Sequence, residues 1–362
     1  MPPGTFKHVR LAIQLRKVAC ELLGAALAGF SLSACQSSEV TVISRLGAIQ
    51  QIPVPFGDYQ GIAWLSDDHL VVGYDPDPQA RNPGSNLWIM RTDGSDLEML
   101  NLPQDGRYQC LVSDFFAPGR MPDGRLAFLR DCSTKQGLYV TRLAWDPRTG
   151  VVERLDSYEL PTQSALFTVA PDLSRGLLSS NTHIEDKLYW LDAQAYSLLD
   201  IGLARAAMPA WSPDGKSIVF FGNRRMPGPP GPHWAVQPLD LWIMPVDCEG
   251  HPGGCGASLQ LIARDIYNPT NISWSPDGRW LAFDAQIRGH GEGVWLMQVD
   301  TRQIYQVASG PYQVPEWSPD GQRIVVSGPP ERLGREEYPQ IHLTLYIIDV
   351  GEVISEISDS VR

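Results

Sequence analysis

The stretch WSPDGKSIVFF, Trp211 to Phe221, recurs as WSPDGRWLAFD from Trp274 to Asp284 and as WSPDGQRIVVS from Trp317 to Ser327. In each copy a Trp leads into Ser-Pro-Asp-Gly and then into an apolar run. Pro fixes φ near −65° at the first turn position and Asp is tolerated at the second. Gly then takes the left-handed position that closes a type I turn with a bulge. Two antiparallel strands must flank such a turn.

A second pattern counts the copies. Apolar runs centred on an aromatic recur at Trp88, Tyr139, Tyr189, Trp242, Trp295 and Tyr346, spaced 51, 50, 53, 53 and 51 residues apart. Five of them run into an acid, at Asp93, Asp192, Asp247, Asp300 and Asp349. Degenerate copies of the first pattern fall where this spacing places them: around Trp64, around Pro122-Asp123-Gly124 and around Pro171-Asp172. The chain therefore reads as six units of about 50 residues, each strand, tight turn, strand, loop, strand, turn, strand.

One sheet of this kind has two apolar faces and cannot stand alone. Stacked radially, each face covers its neighbour's, and the flat Trp side chains fill the wedges between them. The expectation is an all-β, six-bladed β-propeller of four-stranded antiparallel blades over residues 55–358. Its blades fall near 58–104, 111–157, 163–202, 206–264, 268–309 and 312–358. Residues 35–54 form an N-terminal tether with a candidate closing strand. The 33 Gly, 30 Pro and 11 Trp, with only 19% charged residues, fit many short strands.

W-S-P-D-G followed by an apolar strand resembles the WD40-like repeats of the TolB family of the bacterial Tol–Pal system, over roughly residues 55–358. The resemblance implies a six-bladed propeller of the cell envelope that binds other proteins. The helical N-terminal domain of that family has no counterpart in the roughly 20 residues between Cys35 and the first blade, so its partners are not carried over. The same repeats form the propellers of prolyl-oligopeptidase-like enzymes. These 362 residues contain no G-x-S-x-G nucleophile elbow, which argues against that activity.

The N-terminal segment has its own signature. Lys7, Arg10, Arg16 and Lys17 precede an apolar core, Leu22 to Ala34, too short to span a bilayer and typical of an export signal. Leu32-Ser33-Ala34-Cys35 resembles the lipobox of bacterial lipoproteins. That resemblance implies removal of the signal peptide, residues 1–34, and a diacylglycerol anchor (palmitate-type chains) on Cys35. The protein is then expected to be exported and held on a bacterial membrane, facing the periplasm or the cell exterior. The net charge of −12 falls to about −15 without the segment, which carries four basic residues and one acid. So acidic a body repels phosphate backbones, and nucleic acid is not an expected partner.

Four cysteines remain beyond Cys20 and Cys35, an even number that in an exported chain favours disulfides. The short loop CEGHPGGC pairs Cys248 with Cys255, leaving Cys110 with Cys132. A zinc site built on that loop with His251 is the sharper alternative. The seven histidines show no H-E-x-x-H and no other paired metal spacing.

Function is expected to reside in binding rather than catalysis. The interval from first-strand anchor to third-strand aromatic is 19 to 21 residues in units 2, 3 and 5. It lengthens to 24, 31 and 29 in units 1, 4 and 6. The first turn is tight throughout, so the surplus lies in second-to-third-strand loops, which in an up-and-down blade all emerge on one face. Those loops, with the shorter RGHGEG of unit 5, carry Arg224, Arg225, His233, Trp234, Arg288, His290, Arg332, Arg335 and Tyr338. Trp, Tyr and Arg most often dominate interfaces. The leading reading is a monomeric, non-catalytic envelope module without cofactor that recognises a protein, peptide or glycan. The alternative is a calcium-dependent lactonase- or esterase-like hydrolase. Its metal would sit at the channel mouth on Gln60, Asp114, Asn271 and Glu316, since hard oxygen donors suit Ca2+.

Overall fold

The Ser-Pro-Asp-Gly turns do more than reverse the chain. In the computed structural model, Gly215 N donates to Ser212 O at 2.9 Å, and Gly215, Gly278 and Gly321 have φ of 70°, 71° and 68°. The Ser and Asp side chains complete the turn. Ser212 Oγ donates to Asp214 Oδ1 at 2.6 Å and accepts from Ser217 N at 2.9 Å, while Lys216 N donates to Asp214 Oδ1 at 3.0 Å. The same three bonds recur around Ser275 and Asp277, and around Ser318 and Asp320. Each turn thus satisfies the backbone donors that open the second strand.

The structure describes residues 42–55, 58–75, 86–100, 102, 115–121, 123–133, 138–160, 164–171, 175–180, 187–191, 196–224, 238–329 and 344–360. All of them lie in one compact unit, Thr41–Arg362.

Two strands, β1 (Val42–Ser44) and β2 (Ala48–Ile52), precede the repeats. A first four-stranded sheet follows: β3 (Asp58–Ser66), β4 (His69–Asp75), β5 (Asn86–Arg91) and β6 (Glu98–Met99). The second comprises β7 (Phe115–Arg120), β8 (Leu126–Ser133), β9 (Leu138–Trp145) and β10 (Val152–Leu160). The third is β11 (Ser164–Val169), β12 (Gly176–Ser180), β13 (Leu188–Leu191) and β14 (Tyr196–Leu198). Each is an antiparallel meander in chain order.

The next two repeats share one nine-stranded sheet. It contains β15 (Arg205–Trp211), β16 (Ser217–Asn223), β17 (Leu239–Pro245) and β18 (Gln260–Tyr267) from one repeat. The other contributes β19 (Ile272–Trp274), β20 (Trp280–Ile287), β21 (Gly291–Gln298) and β22 (Ile304–Ser309). The two halves are joined where β18 pairs with β20, at Ile266 with Ile287 and Tyr267 with Gln286, beyond the end of the short β19. The ninth strand, β1, runs parallel to β22.

The last sheet departs from the expected order. It takes three strands from its own repeat, β23 (Gln313–Trp317), β24 (Arg323–Gly328) and β25 (Thr344–Asp349), and its fourth is β2, antiparallel to β25. Residues expected to supply that fourth strand form a helix, Gly351–Ser360, instead. Val353 and Ile357, one helical turn apart, are buried, and Glu352 stands in the first turn. That is the spacing of an amphipathic helix with an acid near its positive end.

Neighbouring sheets cover each other with apolar side chains. Trp190 and Leu188 pack with Trp211, Ile218 and Trp242 across the third and fourth repeats. Ile62, Trp64 and Val72 of the first sheet pack with Ile52, Val325 and Leu345 of the last. The first strands also carry X-Pro irregularities. Register slips between Ala207 and Ala210 and between Gln313 and Glu316, at Met208-Pro209 and Val314-Pro315. Met208 and Val314 have φ of 56° and 53°. Proline cannot donate to a ladder, so it is confined to edge strands and bulges, and these bulges bend the inner edge.

Candidate functional site

The first strands β3, β7, β11, β15, β19 and β23, with their turns, surround a cavity of about 560 Å³. Its wall is mostly apolar: four repeat Trp residues, several prolines, Met121 and Ile272. Polar groups are few, among them Arg120, Thr168, Asn271 and Glu316. In each repeat the first strand starts beside the end of the second, as Arg205 pairs with Asn223. Asn271 therefore lies toward the end that carries the second-to-third-strand loops, and the Pro-Asp-Gly turns lie at the other.

Asn271 and Glu316, named as calcium ligands from sequence, do come together: Asn271 Nδ2 donates to Glu316 Oε1 at 2.9 Å. The carboxyl has access to the cavity but is otherwise enclosed by protein. Burial pushes its pKa up to about 8, against the downward pull of the Asn271 bond. Calcium wants six or more oxygen donors with charged carboxylates among them. Here the amide presents its nitrogen, and not its oxygen, to the carboxyl. Among the described residues no group of three or more acidic, His or Cys side chains gathers around the pair. Asp114 lies outside the described residues, and the Gln60 side chain, at the start of β3, is not described either.

A neighbouring acid went unnoticed in the sequence. Asp284, buried on β20, accepts from Thr270 N, Thr270 Oγ1 and Asn271 N at 2.9 to 3.1 Å. Burial raises its pKa to about 7 although all these donors pull it down. Thr270 Oγ1 accepts in turn from Val314 N at 3.3 Å, and Ser273 Oγ donates to Pro315 O at 2.7 Å. The cluster braces β19 against β20 and β23. The one sequence clue was alignment: Asp284 takes the place held by Phe221 and Ser327 in the sister repeats.

Three of the residues expected to bind a partner are described. Arg224, just past β16, sits over the Trp242 ring at 5.0 Å. Arg288, just past β20, donates to Tyr267 Oη at 2.7 Å, which raises its already high pKa, and His290 meets Trp295 edge-on at 6.3 Å. Both arginines lean on aromatics at the loop-bearing end. Arg225, His233, Trp234, Arg332, Arg335 and Tyr338 lie outside the described residues.

Cys248 and Cys255 form a disulfide, with Cα atoms 4.6 Å apart, which overturns the zinc alternative. Both sulfurs are consumed, and His251 bonds instead to Ser258 Oγ at 3.2 Å. Cys35 and Cys110 lie outside the described residues, as does the side chain of Cys132.

Sheet architecture and comparison together define the class: the chain folds as a β-propeller. TolB of Acinetobacter baumannii superposes with a TM-score of 0.52 at 16% identity, over 81% of this chain and 64% of that one. A gluconolactonase of Xanthomonas campestris superposes at 0.51 and 13% identity, over 84% and 91% of the two chains. At such identities the likeness concerns the fold alone. In sequence, the chain is 27% identical over 221 residues to an uncharacterized protein of Agrobacterium fabrum, covering 58% of this chain and 64% of that protein. The matches thus span just under two thirds of that relative and of the TolB chain. No protein-family model matches.

Proposed function

We propose that the protein is a lipid-anchored, six-bladed propeller of the bacterial envelope that binds a protein, peptide or glycan through the face bearing its long loops. The observation that carries the binding reading is the pairing of Arg224 with Trp242 and of Arg288 with Tyr267 on that face. An arginine braced on an aromatic ring loses less freedom on binding than a free one, and both residue types recur at interface hot spots. The Asn271 amide nitrogen bonded to Glu316, which leaves the amide oxygen turned away from that carboxyl, favours this reading over metal-assisted hydrolysis. Six blades closed into a ring are supported by the shared apolar cluster of the first and last sheets and by β2 completing the last one.

Two experiments test it. Arg224, Arg225 and Trp234 replaced together by Ala should abolish capture of a partner from native membranes. Charge changes in the Asp123, Asp214 and Asp277 turns, on the opposite face, should leave capture intact. The reverse result would place the surface on the wrong side. Separately, Cys35→Ser should release the protein from the detergent phase or leave an unprocessed precursor, and a soluble wild type beginning elsewhere would end the lipoprotein reading. Added Ca2+ should not raise the melting temperature. A calcium-dependent rise accompanied by turnover of a simple lactone would favour the hydrolase.

A further inference from the structure

The repeat supplies an internal control for the cavity wall. Aligned on the tight turns, one position in each first strand is occupied in order by Trp64, Arg120, Val169, Trp211, Trp274 and Trp317. Trp64, Trp211 and Trp317 are buried, and the indoles of Trp64 and Trp274 donate to the neighbouring first strand at 2.9 and 3.2 Å. Arg120 breaks the pattern. It is exposed, it lines the cavity, and it has no hydrogen-bond or ion-pair partner among the described residues. Among the described residues, the acids close to it in sequence and sheet are already engaged: Arg125 holds Asp123 at 2.7 Å and Glu153 at 2.8 Å. The described carboxyl in the cavity wall, Glu316, is bound to Asn271.

A chain of net charge −12 has ample acid with which to neutralise an arginine, yet Arg120 lines an apolar chamber with no acid paired to it among the described residues. Pockets of 300–1,000 Å³ with apolar walls and a few polar groups are the usual form of small-ligand sites, and the guanidinium fork matches a carboxylate in two parallel bonds. We propose that the cavity binds a small organic carboxylate with an apolar body: Arg120 takes the carboxylate, and the Trp- and Pro-lined wall takes the rest. The acid is either a free molecule or the C-terminal carboxylate of a peptide.

The test is titration calorimetry on the full-length protein with three probes: phenylacetate, its uncharged analogue phenylacetamide, and acetyl-Phe-Phe with a free C-terminus. At least one of the two acids should bind saturably and the amide should not, and the acid that binds tells the free molecule from the peptide end. Arg120→Gln should weaken binding about tenfold to a hundredfold, the worth of a charge-assisted hydrogen bond. Arg120→Lys should retain part of it. Arg120→Trp, which restores the repeat residue, should lose binding while melting no lower than wild type. Should Arg120→Trp fold poorly, Arg120→Gln with an unchanged melting temperature carries the test. Equal binding by Arg120→Gln, equal binding of the amide, or no saturable binding of either acid would overturn the proposal.

Discussion

The indole Nε1 of Trp64 donates at 2.9 Å to the backbone carbonyl of Glu316, 252 residues away, and Trp274 does the same to Ala210 at 3.2 Å. In both cases the acceptor immediately precedes the repeat Trp of the adjoining repeat. The junction of the first and last sheets therefore has the same bond as a junction between consecutive repeats. Asp320 N to Asp67 Oδ1 at 3.0 Å and Arg323 Nη2 to Asp67 O at 2.7 Å add to it.

Trp64→Phe should accordingly cost about 1 kcal/mol more than Trp317→Phe in denaturant unfolding, the net worth of one hydrogen bond. Trp317 Nε1 is buried without a hydrogen-bond partner among the described residues, so its replacement removes ring volume without breaking such a bond. Equal costs for the two variants would deny the junction bond any share in stability.

Ser275→Ala should destabilise by about 1–3 kcal/mol. The hydroxyl both donates to Asp277 and accepts from the buried Trp280 N, which would be left unsatisfied. Ser212→Ala and Ser318→Ala remove equivalent bonds, and thermal melts of the three should rank together.

The turn acids and the two enclosed acids, Glu316 and Asp284, impose opposite pH dependences. At Asp214 the Ser212 hydroxyl leads in holding the carboxyl below its ordinary 3.8. At Asp277 and Asp320 burial pulls upward but is outweighed by the Ser hydroxyl and the following amide. A depressed folded pKa gives stability above the unfolded value that is lost as pH falls through the folded one. Glu316 and Asp284 are raised instead, from 4.5 to about 8 and from 3.8 to about 7. Their unfolded forms release protons first, so stability falls as pH rises above roughly 4 and levels off above roughly 8.

Melting temperatures of Glu316→Gln should fall less than those of wild type between pH 5 and 8, since the amide still offers Asn271 an oxygen. Asp284→Asn should be destabilising at every pH. Its NH2 would face the Thr270 and Asn271 donors, at a cost of about 1–3 kcal/mol. A stable Asp284→Asn would contradict the assigned bonds.

Cys248→Ala with Cys255→Ala should cost about 2–3 kcal/mol through the freed unfolded chain. Both cysteines are buried against Trp211 and Trp242, so a reductant should act slowly on the native protein.

The strands, their tight turns and their succession are legible along the chain because they depend on local chemistry: the fixed φ of Pro, the left-handed Gly and the alternation of apolar residues. So is the short-loop disulfide. The rest depends on the folded chain. Residues 35–54 offered a candidate closing strand, but that β2 completes the last sheet while residues 351–360 coil into a helix depends on which edge is left open after folding. The joining of β18 to β20 follows from the shortness of β19, which leaves the end of β20 unpaired. Asp284 and Glu316 are ordinary acids in the sequence, and enclosure alone shifts them. Arg120 is visible in the alignment as a missing Trp, but that it lines a cavity is a property of six strands, remote along the chain, converging on one space.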